Sequence, residues 1–313
     1  MTRKVLVSAP YLLPAINRFQ PLFKKNDIEI IIPRVKERME EEELLKYSDD
    51  IDGAICGDDR FTAKVLQAAP KLKVISKWGT GIDSIDQKAC REAGVKVCNT
   101  LNAFSEPVAD SVIGYMLCFS RNLAQMDKNM KSGEWKKIPG KALRECTLGV
   151  IGVGNVGKAV VRRAKTFGMT LFGNDIVDMP DSFLVDTDIQ MIAREKLLRK
   201  SDFVSLNCDL NPSSYHMMKY KMFSLMKPSA IIINTARGPI IKEEDLIKAL
   251  LEKKIGGAAL DVFEVEPLPA DSPLKKMPNV MLAPHNANSS PAAWEAVHHS
   301  TINNLIDILN GDK

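Results

Sequence analysis

The sequence has no long hydrophobic run, no paired-cysteine motif and no large excess of either charge. No apolar stretch reaches the roughly 18 residues that a membrane-spanning helix needs, so we expect no transmembrane segment. The six cysteines show no CxxC spacing, which predicts reduced, mostly buried thiols of a cytoplasmic protein, and no metal site is expected. The net charge of +4 is too small to indicate a nucleic-acid partner. The one dense charge run, residues 37–43, is acidic and typical of a solvated helix face.

The residues that are present form short apolar runs, and these alternate with segments of helical spacing. The runs are continuous rather than alternating, which is typical of parallel strands buried on both faces. Such strands separated by helices predict an α/β protein with doubly wound parallel sheets. The predicted strands are residues 4–8, 28–32, 53–57, 73–77, 95–98, 148–153, 170–174, 203–207, 230–235, 258–262 and 280–283, and the clearest helices are 63–69, 107–121, 156–167, 243–253 and 292–309.

Two series of strands in 313 residues predict two domains. A glycine-rich turn lies in mid-chain, so the domain that holds it must be inserted within the other. We place one domain at residues 1–100 and 286–313 and the inserted domain at residues 101–285. Ser290, as N-cap, and Pro291 are predicted to open a last helix that crosses back to the first domain.

The turn at residues 152–157 has the spacing G-x-G-x-x-G and joins a predicted strand to a predicted helix. The first glycine permits the tight turn, the second lets the backbone approach a pyrophosphate, and the third allows close packing of helix on strand. We therefore expect a dinucleotide site, and the apolar positions Val156, Val160, Ala164 and Phe167 are expected on the buried face of the helix. The residues predicted to bind the pyrophosphate are Gly152, Gly154, Asn155, Val156 and Gly157.

Asp175 ends the next predicted strand, where a carboxylate accepts hydrogen bonds from the adenosine ribose. A carboxylate there repels the 2′-phosphate of NADP, and the following Ile176 and Val177 provide no arginine to bind it. The predicted cofactor is therefore NAD.

Three short motifs downstream each hold one ionisable residue: Arg237 in Asn-Thr-Ala-Arg-Gly, Glu266 before a proline, and His285 in Ala-Pro-His. A guanidinium binds a carboxylate through two parallel hydrogen bonds. An imidazole paired with a carboxylate transfers protons near neutral pH. This set predicts acid–base chemistry on a small carboxylic acid.

Together with the turn, these motifs resemble the D-isomer-specific 2-hydroxyacid dehydrogenases over nearly the whole chain. The resemblance implies a Rossmann NAD-binding domain inserted into a flavodoxin-like substrate domain. It implies that Arg237 binds the substrate carboxylate and polarises the carbonyl, that His285 donates and accepts the proton, and that Glu266 raises the basicity of His285. Glu264 competes for the role of Glu266, but its position after Phe263 rather than before Pro267 disfavours it.

The same resemblance assigns further contacts. Asp261 is implied to hold the nicotinamide carboxamide, and Val108, Thr235 and Ala236 to contact the cofactor. In the first domain, the backbone at Thr80 and Gly81 is implied to bind the substrate carboxylate. Lys77 either adds a charge to that contact or is simply solvated.

Two features depart from the family pattern. Asn286 and Asn288 follow His285 where the family usually has small, glycine-rich residues, and they are candidates for substrate or cofactor contacts. After the strand at residues 53–57, Asp58 and Asp59 stand beside Arg60, and two carboxylates there would weaken a phosphate site.

The resemblance predicts hydride transfer between NAD(H) and a small D-2-hydroxy acid or its 2-keto acid, bound in a cleft between two closing domains. A glyoxylate- or hydroxypyruvate-like substrate is favoured over 3-phosphoglycerate. A homodimer is expected, with residues 107–121 and 122–141 as candidate contacts, and no nucleic-acid or membrane partner. The alternative is an NAD-sensing binding protein or corepressor on the same fold.

Overall fold

The computed structural model describes residues 2–311, and its chain divides into two compact units. The first unit comprises the chain up to Phe104 and again from Ser290, and the second is Ser105–Ser289. The two boundaries between the units, after Phe104 and before Ser290, each fall a few residues later in the chain than predicted. The Phe104 ring packs 5.6 Å from that of Trp78 in the first unit, and the N–H groups of Asn286 and Ala287 bond to Asp261 in the second.

The first unit is built on a five-stranded parallel sheet. Its strands are β1 (Arg3–Val7), β2 (Ile28–Ile31), β3 (Gly53–Cys56), β4 (Val74–Lys77) and β5 (Lys96–Cys98). The order β2-β1-β3-β4-β5 is that of flavodoxin-like sheets, and it places the switch point between β1 and β3. Four short helices follow these strands, α1 (Gln20–Lys25), α2 (Glu41–Leu44), α3 (Ala63–Gln67) and α4 (Gln87–Glu92).

The second unit is built on a seven-stranded parallel sheet. Its strands are β6 (Thr147–Ile151), β7 (Thr170–Asn174), β8 (Gln190–Met191), β9 (Phe203–Leu206), β10 (Ile231–Asn234), β11 (Gly257–Leu260) and β12 (Val280–Leu282). The order β12-β11-β10-β9-β6-β7-β8 is a Rossmann order with one added strand, and its switch point lies between β6 and β9. The predicted doubly wound α/β class is confirmed.

Helices cover both faces of this second sheet. They are α5 (Ser105–Arg121), α6 (Leu123–Lys131), α7 (Asn155–Thr166), α8 (Asp181–Thr187), α9 (Arg194–Lys200), α10 (Tyr220–Phe223) and α11 (Glu243–Leu251). On α7, Val160 and Ala164 are buried as predicted, but Phe167 is 41% exposed because the helix ends at Thr166. The last helix, α12 (Pro291–Asn310), begins after the Ser290 N-cap as predicted and packs on β3 and β4.

The chain also contains short 3₁₀ segments, at Leu13–Phe19, Ser48–Asp50, Leu143–Glu145, Gly238–Ile240 and Pro273–Lys276. All six cysteines are free thiols. Within residues 2–311 no helix is long and apolar enough to span a membrane, and no three His, Cys, Asp or Glu side chains are grouped as metal ligands.

Candidate active site

The glycine-rich turn lies at the end of β6, at the switch point of the second sheet. Gly152 has a φ of +86°, and a Cβ there would lie 2.5 Å from the Cys208 nitrogen. A Cβ at Gly157 would clash with the Gly152 carbonyl oxygen. Beside Gly154, in contrast, an added Cβ would meet no atom of the described chain within 4 Å. The protein itself requires the first and third glycines, whereas the second leaves room for a ligand.

Helix α7 begins directly after this turn, with Gly154 as N-cap. No side chain of the described residues caps it, so no side-chain acceptor satisfies the N–H groups of its first turn, among them those of Asn155 and Val156. Oriented N–H groups at a helix N-terminus bind phosphate. The turn and α7 together therefore fit a pyrophosphate.

Asp175 follows β7 and is joined to the turn. Its Oδ2 accepts the Val153 N–H at 2.5 Å, and its Oδ1 accepts the Val177 N–H at 3.0 Å. The carboxylate lines a pocket of about 280 Å³, together with Asn174, Val177, Asp178, Met191 and Ile192. The structure thus places Asp175 beside the turn and an open pocket, where the sequence predicts the ribose.

Arg194, at the start of α9, is a residue that the sequence does not single out. Its Nε is buried and has no hydrogen-bond partner among residues 2–311. Burial, together with the charges of Asp209 and Asp175, raises the pKa of the Cys208 thiol to about 11, and the charge of Arg194 opposes the rise. Arg194 directly follows Ala193, which lines the same pocket as Asp175, although it comes from a later helix and not from the residues that directly follow Asp175.

Arg237, Asp261 and His285 follow three neighbouring strands of the second sheet. Arg237 comes after β10, Asp261 directly after β11, and His285 after β12, and these strands pair in parallel. Their carboxyl ends therefore share one edge of the sheet, the edge at which open α/β sheets bind ligands.

His285 and Glu266 form an imidazole–carboxylate pair. His285 Nδ1 lies 2.9 Å from Glu266 Oε2, and Glu266 Oε1 accepts the Phe263 N–H at 2.9 Å. His285 has a left-handed φ of +51°, and its N–H donates to the Asp261 carbonyl at 2.7 Å. A hydrogen bond donated to a carboxylate fixes the orientation of an imidazole and stabilises its protonated form, as proton transfer requires.

The loop that carries Arg237 is held by Asn234. The Asn234 side chain accepts the Ala236 N–H at 3.1 Å and donates to the Arg237 carbonyl at 2.9 Å. Arg237 Nη1 donates to the Ala236 carbonyl at 2.8 Å, and the side chain is partly exposed. The next residue, Gly238, has no space for a Cβ because the Phe263 carbonyl group packs against it.

Asp261 is buried, and both of its carboxylate oxygens hold the segment after His285. Oδ1 accepts the Asn286 N–H at 2.8 Å, and Oδ2 accepts the Ala287 N–H at 2.9 Å. Burial raises the pKa of Asp261, while these two hydrogen bonds and His285 oppose the rise. Asp261 thus positions the His285 loop, a role that the motif alone does not indicate.

Glu264 does not pair with His285. Its Oε1 is hydrogen-bonded to Nε2 of His216, and its Oε2 accepts the Glu243 N–H at 3.0 Å. The two glutamates of this motif therefore have different histidine partners.

In the first unit the structure corrects the expectations for Lys77 and Asp59. Lys77 is only 5% exposed, and its Nζ lies 3.0 Å from Asp58 Oδ1, so it is not a solvated strand-end lysine. Asp59 is fully buried and accepts hydrogen bonds from the Ser8 hydroxyl and the N–H groups of Met39 and Gly57. Burial raises its pKa, and the hydrogen bonds oppose the rise. Asp59 holds loops together and does not present a carboxylate to a ligand.

The loop with Thr80 and Gly81 follows β4. The Thr100 N–H donates to the Gly79 carbonyl at 2.9 Å, and the Thr80 hydroxyl donates to the Thr100 carbonyl at 3.0 Å. Among the described residues of this unit, no acceptor takes the N–H groups of Thr80 and Gly81. Those two groups are therefore available for an anionic ligand, as the sequence predicts.

The remaining predicted contacts lie on different elements. Val108 is nearly buried on α5, and Thr235 and Ala236 follow β10. The Thr235 hydroxyl is buried and has no hydrogen-bond partner among residues 2–311. A buried hydroxyl without a hydrogen-bond partner destabilises the folded protein unless a ligand supplies the partner. Together with the space at Gly154 and the uncapped α7, it fits a bound dinucleotide.

Comparisons with known proteins identify the family of the chain. Residues 113–287 match the model of the D-isomer specific 2-hydroxyacid dehydrogenase NAD-binding domain. The chain is 37% identical to a glyoxylate reductase from Thermofilum pendens, over 87% of this chain and 82% of that protein. It is also 37% identical to a D-3-phosphoglycerate dehydrogenase from Methanocaldococcus jannaschii, over 99% of this chain and 58% of the relative.

Among solved structures, a D-lactate dehydrogenase from Aquifex aeolicus, in complex with NAD and lactic acid, is similar. It has a TM-score of 0.87 and 25% identity, over 99% of this chain and 96% of that one. The chain therefore belongs to the family of D-isomer-specific 2-hydroxyacid dehydrogenases and is an NAD-dependent enzyme of that family.

Proposed function

We propose that the protein reduces a small, unphosphorylated 2-keto acid, of the glyoxylate or hydroxypyruvate type, to the D-2-hydroxy acid. The observation that carries this proposal is the His285–Glu266 pair at the sheet edge that also bears Arg237. NADH, when bound, supplies the hydride that the keto carbon receives. The proton must come from the protein, and His285 is the group suited to give it.

Arg237, His285 and Glu266 each have a distinct role. The Arg237 guanidinium binds the substrate carboxylate and draws electron density from the carbonyl oxygen. The imidazolium of His285 donates its proton to that oxygen as the alcohol forms, and accepts it back in the reverse reaction. Glu266 holds Nδ1, which leaves Nε2 as the nitrogen that exchanges the proton, and it stabilises the charged ring. In the first unit, the N–H groups of Thr80 and Gly81 are candidates to bind an anionic ligand.

The preference for an unphosphorylated acid rests on charge. Since Asp59 is buried, it does not repel a phosphate as the sequence suggests. Lys77, however, is neutralised by Asp58 at 3.0 Å, so a phosphate gains little from it. The glyoxylate reductase among the relatives supports the same choice.

The decisive test is NADH oxidation by the purified protein with a panel of 2-keto acids, including glyoxylate, hydroxypyruvate and 3-phosphohydroxypyruvate. We expect steady turnover that is fastest with an unphosphorylated acid. A kcat/KM tenfold higher for the phosphorylated acid would reverse the substrate choice. Tight NADH binding without turnover on any acid would instead favour the NAD-sensing corepressor alternative.

The proposal includes a homodimeric assembly and a cytoplasmic location. A homodimer through α5 and residues 122–141 is supported by three exposed apolar side chains there, Leu123, Met130 and Trp135, the last 86% exposed. Light scattering of the wild-type protein and of Trp135→Lys tests it, because the charged variant should shift the dimer toward monomer. The six free cysteines support a cytoplasmic location.

A further inference from the structure

His216 makes a hydrogen bond that the proposed chemistry does not use. It lies between β9 and α10, has a left-handed φ of +49°, and stacks on the Tyr215 ring with centroids 4.0 Å apart. Its Nε2 is bonded to Glu264 Oε1, and the two side chains are only 19% and 28% exposed. Solvent screens such a half-buried pair less than it screens a surface salt bridge.

The other contacts of Glu264 fix the segment that carries Glu266. Glu264 Oε2 accepts the Glu243 N–H at 3.0 Å, and the Glu264 N–H donates to Glu243 Oε2 at 3.4 Å. Burial raises the pKa of Glu243, the hydrogen bond from the Glu264 N–H opposes the rise, and the charge of the Glu264 carboxylate adds to it. Each carboxylate is thus held beside the backbone of the other glutamate, and His216 is a donor that offsets the repulsion between the two charges.

The backbone around His216 also holds the Arg237 loop. The His216 N–H donates to the Pro239 carbonyl at 2.8 Å, and the Met218 N–H donates to the Ile240 carbonyl at 3.1 Å. Gly238 packs against the Phe263 carbonyl group without space for a Cβ. The segments that carry Arg237 and Glu266 therefore touch each other, and His216 is hydrogen-bonded to both.

We propose that His216 is a positioning residue, which acts through Glu264 to keep Glu266 on His285 and the Arg237 loop in register. This inference rests on the proposed roles of those three residues. Without the His216 donor, the repulsion between the neighbouring charges of Glu243 and Glu264 is no longer offset, the 263–266 segment shifts, and the hydrogen bond of Glu266 to Nδ1 of His285 weakens. The loss should appear mainly in the chemical step and less in cofactor binding, because none of the contacts described for His216 and Glu264 reaches the glycine-rich turn or Asp175.

The kinetic test compares His216→Ala with His216→Gln, since glutamine keeps an N–H donor. We expect kcat to fall about tenfold in the alanine variant and less than about threefold in the glutamine variant. The Kd for NADH should stay within twofold of wild type in both. Glu244→Gln is the matched control, because this neighbouring glutamate is 87% exposed and should leave kcat unchanged. A wild-type kcat in His216→Ala, or an equal loss of kcat and NADH affinity in both variants, overturns the proposal.

A double-mutant cycle tests the pairing. If His216 acts through Glu264, the double variant His216→Ala, Glu264→Ala should be no slower than the slower single variant. If the fold losses of kcat in the two single variants multiply in the double variant, His216 and Glu264 act independently, which contradicts the proposal.

A measurement without substrate separates this inference from the proposed function. The chain has four histidines, so the His285 imidazole signals can be assigned by comparison with His285→Gln. In His216→Ala the His285 ring should titrate at lower pH than in wild type, because a displaced carboxylate stabilises the imidazolium less. An unchanged titration sinks the inference even if keto acids are reduced, whereas a wild type that reduces none of them sinks the proposed function.

Discussion

At the scale of single residues, we expect proton transfer to depend on the ring of His285. In His285→Ala the proton donor is gone, and we expect kcat to fall by about 10²–10⁴. The NADH Kd should change little, because the glycine-rich turn is untouched. His299→Gln, an exposed histidine on α12, is the control and should keep wild-type turnover. Near-normal turnover in the alanine variant would remove His285 from the mechanism.

Arg237 is expected to act as a planar fork. Arg237→Lys should be nearly as damaging as Arg237→Ala, because an ammonium group cannot make two parallel hydrogen bonds to a carboxylate. Both KM for the keto acid and kcat should suffer in steady-state kinetics. A lysine variant with wild-type constants would place the substrate carboxylate elsewhere.

Asp175 should govern the choice between NADH and NADPH. Wild type is expected to bind NADH more tightly, and Asp175→Ala should narrow the difference by removing repulsion of the 2′-phosphate. Because Asp175 also accepts the Val153 N–H, the alanine variant should weaken binding of NADH itself, whereas Asp175→Asn keeps an acceptor and should weaken it less. Fluorescence titration with both cofactors measures this, and tighter NADPH binding by wild type would contradict the assignment.

Residue-scale predictions succeeded where a motif fixes a position and failed where a partner comes from elsewhere in the chain. Glu266 and His285 stand in fixed motifs, and the structure pairs them. The burial of Lys77 depends on Asp58 from another loop, and that of Asp59 on Ser8 and Met39, which no local pattern reveals.

At the scale of elements, replacing glycine by alanine in the turn before α7 should have opposite effects at two positions, one on stability and the other on cofactor binding. Gly157→Ala forces a Cβ into the Gly152 carbonyl, so the second unit should lose about 2 kcal/mol or more of unfolding free energy. Gly154→Ala meets open space and should unfold like wild type, yet bind NADH much more weakly. Urea unfolding and NADH titration of both variants separate the effects. Equal stability of the two would contradict the packing described.

Most elements were predictable because buried parallel strands are continuous apolar runs. The strand β8 was missed because Gln190 and Met191 form no such run and owe their conformation to pairing with Phe172 and Gly173. The end of α7 was misjudged because the apolar spacing continues through Phe167 while the helix stops at Thr166.

At the scale of the whole molecule, stability should depend on pH through His298. Its Nδ1 accepts the Trp78 Nε1–H at 2.9 Å, and burial lowers its pKa below the ordinary value of 6.5. Arg18 and His299 lower it further, and Glu295 opposes them. Above pH 6.5 the ring is neutral in both the folded and the unfolded chain. Below it the unfolded chain binds the proton more readily, so stability falls with falling pH until the folded pKa is reached.

Urea midpoints at pH 7.5 and 5.5 measure this effect, with His298→Gln as the comparison. Glutamine still offers Trp78 an acceptor but does not titrate, so its midpoint should fall less between the two pH values. Equal falls in wild type and variant would show that His298 does not contribute.

The left-handed backbone of His285 has a consequence for the evolution of the molecule. A residue with a side chain loses about 1 kcal/mol in that conformation relative to glycine. The hydrogen bonds to Asp261 and Glu266 keep His285 there. The position that we propose for the proton transfer is thus one at which the fold gives up stability. Selection for a longer-lived protein favours glycine at position 285, while selection for turnover favours histidine, and activity persists only where the second is stronger.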